Sequence, residues 1–302
     1  LEGIICFNYN GVSPGVMKLC SENNISIAFL TPYGRFCARL TGKVNGNVYL
    51  RREQYRIADS DEKSLAIAKN CIIGKLHNSR KILMRAVRDH KEKINSEVMN
   101  KTIENIKEQL EKIKLLDSKD SLRGIEGEAA RSYFRNFNEM ILTQKDIFLF
   151  NERTKRPPKD RVNALLSFLY SLLTYEVQSA LESVGLDSYV GFFHTDRPGR
   201  PSLALDMMEE LRGYMVDRLV LTLINKKQID KKHFEEKENE SVLLNEKGRN
   251  LVIEAWQKKK QEEMTHPFID EKIQIGLLPY VQAQLLARVI RGDIEEYPPF
   301  ML

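Results

Sequence analysis

The spacing of apolar residues changes once along this chain, near residue 60. Before it, apolar residues come in short runs broken by turn formers. Residues 1–7 and 26–30 are two such runs, and the second ends at Thr31-Pro32-Tyr33-Gly34, a turn sequence. Residues 35–40 alternate, with Arg35, Cys37 and Arg39 on one face and Phe36, Ala38 and Leu40 on the other, which is the period of a half-buried strand. Asn45-Gly46 is a hairpin signal and predicts a further strand over residues 47–50. Residues 11–22 lie between strands and predict a short helix. A small antiparallel sheet is the expectation.

Around residues 55–61 the texture turns helical and stays so. Leu65, Ala68, Ile72 and Leu76 share one face of a helix over residues 64–87. Ile94, Val98, Ile103, Ile106, Leu110 and Ile113 step by three, four or five and predict a second helix, the partner in a helical hairpin. Further helices are expected over residues 121–136, 162–183, 202–223, 245–260 and 278–291. Residues 226–240 set five lysines against five acids with few apolar positions, which predicts an exposed loop or a frayed helix end. No internal repeat is visible. The fold class is α+β: a small N-terminal β-rich domain over residues 1–60, then a larger all-α domain over residues 61–302. The chain opens on Leu1 inside an apolar run, so the first domain is expected to lack part of its N-terminal side.

Composition bounds the function. The chain has 302 residues, 42% of them hydrophobic, enough for a sizeable core. A net charge of +5 is mildly basic and compatible with nucleic acid without demanding it. No apolar run reaches the roughly 18 residues of a spanning helix, and no signal-peptide pattern opens the chain. Cys6, Cys20, Cys37 and Cys71 have neither C-x-x-C nor zinc spacing, and read as buried thiols of a reducing cytoplasm.

Three segments carry candidate chemistry. In residues 191–212, Asp206 and Glu209 stand three apart, on one face of a helix. Glu210 is rotated away, and Met207, Met208 and Leu211 can face the core. His194 precedes this helix by one loop. An imidazole beside one or two carboxylates suits Mg²⁺ or Mn²⁺, although acidic pairs on helices are common and a lone histidine is more often structural. In residues 123–134, Gly124 and Gly127 bracket Glu126 within a helical pattern, each costing about 1 kcal/mol relative to alanine. Something must come close to that backbone: a neighbouring helix, or a phosphate chain and metal. Glu128 reads as a solvated acid. In residues 152–173, Arg153, Lys155, Arg156, Lys159 and Arg161 outnumber Glu152 and Asp160, and Pro157-Pro158 stiffens the loop. Such a cluster suits a phosphate backbone or serves as a solvated linker. Asn163 and Tyr170 lie on the apolar helix that follows.

Taken together, Gly124–Phe134 (GIEGEAARSYF), Arg156–Tyr170 (RPPKDRVNALLSFLY), Gly191–Arg212 (GFFHTDRPGRPSLALDMMEELR) and Gln282–Phe300 (QAQLLARVIRGDIEEYPPF) resemble, in order, the motifs of the CRISPR-associated integrases of spacer acquisition, the Cas1 family. The resemblance covers nearly the whole chain, and its details look most like subtype I-C. It implies a β-rich N-terminal domain used in homodimerisation and a helical domain holding a divalent metal. It implies that Glu126, His194 and Glu209 are the metal ligands and catalytic residues, with Asp206 as an accessory acid. In many relatives the last ligand is Asp, so Glu209 is a conservative departure. Arg197 and Arg200, in the loop after His194, join the basic loop as candidate DNA contacts. The implied reaction is attack by a 3′-hydroxyl of a short DNA duplex on a phosphodiester at a repeat boundary, with double-stranded DNA and the Cas2 acquisition protein as partners. A stand-alone nuclease with water as nucleophile, and a non-catalytic DNA-binding scaffold, are the alternatives.

Overall fold

A computed structural model describes residues 3–7, 11–23, 25–31, 36–40 and 48–302. The N-terminal sheet has three strands: β1 (Gly3–Phe7), β2 (Ser26–Leu30) and β3 (Phe36–Leu40). The expected all-antiparallel arrangement is overturned, because β1 pairs with β2 in parallel and only β2 with β3 is antiparallel. The cause is α1 (Pro14–Glu22), which carries the chain back to the starting edge, as parallel pairing requires. Ser13 caps this helix and Pro14 opens it. The hairpin signal at Asn45-Gly46 and the turn at Pro32–Gly34 lie outside the described residues. The strand expected over residues 47–50 is a correction: Val48 begins α2 (Val48–Asp59). Leu50, Gln54 and Ile57 step by four and three and are buried, a helical spacing that local turn chemistry hid. Gln54 holds this helix in place, donating to the carbonyls of Asp187 at 2.8 Å and Val190 at 2.9 Å. Of the four cysteines, Cys20 and Cys71 are buried as expected, whereas Cys37 is exposed and Cys6 half-buried.

The helical part follows the sequence pattern closely. It comprises α3 (Asp61–His90), α4 (Ser96–Lys114), α5 (Lys119–Arg135), α6 (Arg161–Ser183), α7 (Ser202–Arg212), α8 (Arg218–Asn225), α9 (Glu246–Gln261) and α10 (Leu278–Arg291). Side chains at N-caps Ser60, Asn95, Ser118, Asp160 and Asn245 accept from first-turn amides, which fixes where five of these helices start. The helix expected over residues 202–223 is interrupted by one π-helical turn, Gly213–Asp217, that separates α7 from α8. Gly213 sits there against α3, where an added Cβ would stand 3.0 Å from the Ile82 Cδ1. Residues 226–240 are not simply a loop. They contain a 3₁₀ turn and β4 (Phe234–Glu236), which pairs with β5 (Val242–Leu244). A second ribbon, β6 (Glu263–Thr265) with β7 (Lys272–Gln274), lies between α9 and α10. Both ribbons are too short for a periodicity to register. Among the described residues, no helix is long and apolar enough to cross a membrane.

The core lies where α3, α6, α7 and α10 meet, around Ile72, Leu76, Leu169, Leu173, Met207, Leu211 and Leu286. One acid is sealed inside it. Glu210 is wholly buried and accepts from Gln282 Nε2 at 2.8 Å, from the Phe300 amide at 2.8 Å and from the Tyr297 hydroxyl. Burial pushes its carboxyl up to about 7, against the pull of those three donors. Asn78 donates to the Glu210 and Phe300 carbonyls, so the C-terminal residues are clamped onto α3 and α7. This clamp fixes α7, and with it the acids on its other face.

Candidate active site

Three helices each deliver one charged side chain to a single point. Lys75 comes from α3, Glu126 from α5 and Glu209 from α7. The Lys75 ammonium pairs with Glu126 Oε1 and with Glu209 Oε2, the latter at 2.6 Å. Lys75 lies on the apolar face of α3, and its side chain is only 9% exposed. Arg212, one turn beyond Glu209, grips both oxygens of that carboxylate at 2.8–2.9 Å. Burial alone would raise the Glu209 carboxyl. Arg212, Lys75 and His194 outweigh it and hold the group far below the usual carboxylate range, so Glu209 is ionised at any physiological pH.

His194 is oriented by Asp206 rather than by Glu209. The Asp206 carboxylate is 1% exposed and accepts four bonds: from the amides of Phe192 (2.6 Å), Phe193 (2.9 Å) and His194 (2.8 Å), and from His194 Nδ1 (2.6 Å). An acid that takes three backbone N–H groups has only lone pairs to offer the ring, so Nδ1 is the donor in this contact and Nε2 is the nitrogen that Asp206 does not engage. Gly191 makes this close approach possible. A Cβ there would stand 2.8 Å from both Asp206 Oδ2 and Ser202 Cβ.

A wall of cations and aromatic rings backs the carboxylates. The Arg212 guanidinium lies 4.2 Å from the centre of the Tyr170 ring, and Arg153 lies 5.5 Å from the same ring. Asp217, on the π turn, accepts from the hydroxyls of Tyr133, at 2.9 Å, and Tyr170. Burial raises the Asp217 carboxyl, with Arg212 and the two tyrosines opposing. Lys155 is exposed over the residue as a whole, yet enough protein surrounds its ammonium that desolvation, then Arg212, lowers its pKa. Glu209 pulls that pKa the other way, which puts Lys155 within electrostatic range of the carboxylates.

The Cas1 family model, described as CRISPR associated protein Cas1, matches residues 1–258. The chain belongs to the Cas1 family. It is 48% identical over 301 residues to CRISPR-associated endonuclease Cas1 1 of Chlorobaculum tepidum, covering 100% of this chain and 88% of that one. It is 47% identical to CRISPR-associated endonuclease Cas1 2 of Rhodospirillum rubrum, covering 98% and 87%. Among solved structures, a Cas1 protein from Thermotoga maritima superposes with a TM-score of 0.80 at 25% identity, over 97% of this chain and 86% of that one. A casposase bound to integration product shares the fold, with a TM-score of 0.85 at 24% identity over 99% and 81%.

Within this Cas1 fold the sequence-derived candidates divide. Glu126 and Glu209 meet through Lys75, and His194 is near enough to Glu209 for its charge to be felt there. Among the described residues, however, no three His, Cys, Asp or Glu side chains form a group poised to hold an ion, and the Lys75 ammonium stands between the two glutamates. The neighbouring-helix explanation for Gly124 and Gly127 does not hold, since nothing lies within 4 Å of a Cβ at either position. Glu128 is exposed, as expected.

The basic loop also divides. Arg153 is turned inward, donating to Thr154 O, Asn163 Oδ1 and Ser167 Oγ. Arg161 donates to Ile147 O at 3.1 Å and pairs with Glu236 at 2.6 Å. Both guanidinium groups are engaged in internal bonds, unlike the exposed cations of the loop. Lys155, Arg156 and Lys159 are the exposed cations of the cluster, with Arg197 exposed and Arg200 half-buried beyond His194. Sequence reading missed Lys75, Arg212 and Asp217. For Lys75 a signal existed: a lysine at the i+3 position from Ile72, on the apolar stripe of a long helix, has to find a partner inside.

Proposed function

We propose that this Cas1-family chain is a divalent-metal-dependent DNA integrase that inserts short DNA fragments into a CRISPR array. The observation that carries the reading is the convergence of Glu126 and Glu209 on one cation position, near a histidine whose Nδ1 is taken up by Asp206, so that Nε2 is the nitrogen available to a ligand. A site that gathers a cation between two carboxylates, even a lysine ammonium, has the field a metal ion needs. The donor set of two carboxylates and one imidazole fits Mg²⁺ or Mn²⁺ by its chemistry. Glu126, Glu209 and His194 would hold the ion. When bound, it would polarise the reacting phosphodiester and stabilise charge on the displaced oxygen.

The chain's own residues do the rest. Asp206 locks the His194 ring and its tautomer, as outer partners of ligating histidines do. Arg212 fixes the Glu209 carboxylate through a single nitrogen, Nη1, which donates to both of its oxygens. The open backbone at Gly124 and Gly127 leaves room beside Glu126 for a phosphate chain. Lys155, Arg156, Lys159, Arg197 and Arg200 hold phosphates of the duplex, independent of its sequence. The nucleophile is the 3′-hydroxyl of the incoming DNA. The same site would hydrolyse DNA with water in its place, in keeping with relatives named endonucleases. As readings of the same kind we infer homodimerisation through the N-terminal sheet, Cas2 as partner, a cytoplasmic setting, and the I-C subtype from motif detail. The division into residues 1–60 and 61–302 is part of the same reading.

The test is strand transfer into a supercoiled plasmid carrying a repeat, with Cas2 present. Joining should require Mg²⁺ or Mn²⁺ and stop on chelation. Joining that persists in excess EDTA would refute metal dependence.

A further inference from the structure

Lys75 poses a problem that the metal reading leaves open. Its ammonium fills the place between Glu126 and Glu209 where an ion would bind. Two like cations cannot share that place, because in a partly buried site they repel strongly at contact distance and a divalent ion doubles the effect. The local charges make the point without distances. Glu126 and Glu209 contribute two negative charges, and Lys75 and Arg212 two positive ones. Lys75 and Arg212 thus already offset the two glutamates, and an arriving ion gains most if one of these cations leaves.

Arg212 is not free to leave. It holds both oxygens of Glu209 and is packed over the Tyr170 ring. Lys75 has a flexible four-carbon stem and somewhere to go. Beside it lies a small internal cavity of about 20 Å³, lined by Lys75, Ser79, Tyr133, Arg212 and Asp217 among others. That is room for about one water, or for an ammonium head. Asp217 supplies a buried carboxylate in the cavity wall, so a retracted lysine would not be stranded.

We propose that Lys75 is a resident counter-cation: it holds Glu126 and Glu209 together in the ion-free protein and withdraws toward Asp217 when a divalent ion enters. The inference rests on the metal reading above and adds a residue to it. Lys75 is a positioning residue here. It keeps the half-buried Glu126 and the buried Glu209 from repelling each other before an ion enters, and the ion must displace it.

A lysine that was merely structural would, when removed, weaken the fold and the site alike. A displaced competitor, when removed, strengthens ion binding. The experiment is Mn²⁺ titration calorimetry on the full chain without DNA, for wild type, Lys75→Met, Lys75→Gln and Lys75→Arg, with Glu126→Gln as control. Lys75→Met should bind Mn²⁺ roughly tenfold more tightly or better, since removing one competing charge is worth at least that much. Lys75→Gln, which keeps a donor for the carboxylates, should move the same way and serves if the methionine variant does not fold. Lys75→Arg keeps the charge on a head too bulky to withdraw, and should bind more weakly than wild type. Mn²⁺ should also raise the melting temperature of Lys75→Met more than that of wild type, because stabilisation grows with affinity. Equal or weaker Mn²⁺ binding by the neutral variants, with binding still lost in Glu126→Gln, overturns the Lys75 inference and leaves the metal reading standing. Binding that does not depend on Glu126 in any of the proteins overturns both.

Discussion

Replacing Asp206 with asparagine is the most revealing small change at this site. The side chain keeps its shape but loses one oxygen and its charge. The wild-type carboxylate receives two amide N–H groups on Oδ2, from Phe192 and Phe193, and the His194 amide and ring Nδ1 on Oδ1. Whichever way the asparagine amide is turned, its NH₂ faces two former donors. If it faces Phe192 and Phe193, two buried N–H groups lose their acceptor. If it faces His194, the ring can adapt by moving its proton to Nε2, while the His194 amide stays orphaned. Each buried donor left unpaired costs about 1–3 kcal/mol, and the second route, which orphans one, is the cheaper, so the loss should be about 1–3 kcal/mol. At about 2–4 °C per kcal/mol for a chain of this size class, the melting temperature should fall by roughly 2–12 °C. The second route also puts a proton on the nitrogen that would ligate the metal. Mn²⁺ affinity should therefore fall about 10- to 100-fold, the usual consequence of losing the partner of a ligating histidine. Thermal melting and Mn²⁺ calorimetry read the two effects separately. A variant that melts within a degree or so of wild type and binds Mn²⁺ equally well would refute the role assigned to Asp206.

Other expectations follow from the same geometry. Glu210 titrates near 7 when folded against about 4.5 when unfolded, so it is held protonated by the fold, and its ionisation lowers stability as pH rises through that window. The stability of wild type relative to Glu210→Gln should therefore decline by about 3 kcal/mol between pH 4.5 and pH 8, as read by denaturant unfolding; a difference that does not change with pH would contradict it. Gly191→Ala should cost about 1–3 kcal/mol by overpacking and loosen the Asp206–His194 contact, whereas Gly124→Ala should not destabilise the fold. Reversing the charges of Arg156 and Lys159 together should weaken binding of any duplex and reduce the salt slope by about 2 or more; Arg153→Ala should instead lower stability, because its bonds are internal.

The helices were legible because their signal is local and repeated. Leu65, Ala68, Ile72 and Leu76 read as one face of α3, and they are buried together. The sheet was less legible. Alternation marks a strand but not its partner, so the parallel β1–β2 pairing waited on where α1 turns the chain. Val48–Asp59 was misread at its start because the Asn45-Gly46 signal is two residues long, while the helix is fixed by a distant contact from Gln54 to Asp187 and Val190. At the site, Glu126, His194, Asp206 and Glu209 stood out as polar residues in recognisable motifs. Lys75, Arg212 and Asp217 did not, because their meaning lies in which helix faces which. The basic loop shows the converse. All five cations look alike in sequence, and only packing separates Arg153 and Arg161 from Lys155, Arg156 and Lys159.

Strand transfer by Glu126→Gln tests the central claim most directly. The variant keeps the side chain's shape and removes only the charge on the α5 arm of the site. Wild type and variant are compared on a supercoiled plasmid carrying a repeat, with Cas2 and Mg²⁺ or Mn²⁺, after melting curves establish that both are folded. Glu126→Gln should bind duplex DNA at least as well as wild type, since it brings less negative charge to the phosphates, and most affinity comes from many Lys and Arg contacts spread over the duplex. It should join no DNA, because chemistry depends on charge stabilised only in the transition state. A folded Glu126→Gln protein that joins DNA at the wild-type rate would contradict the assignment of this site.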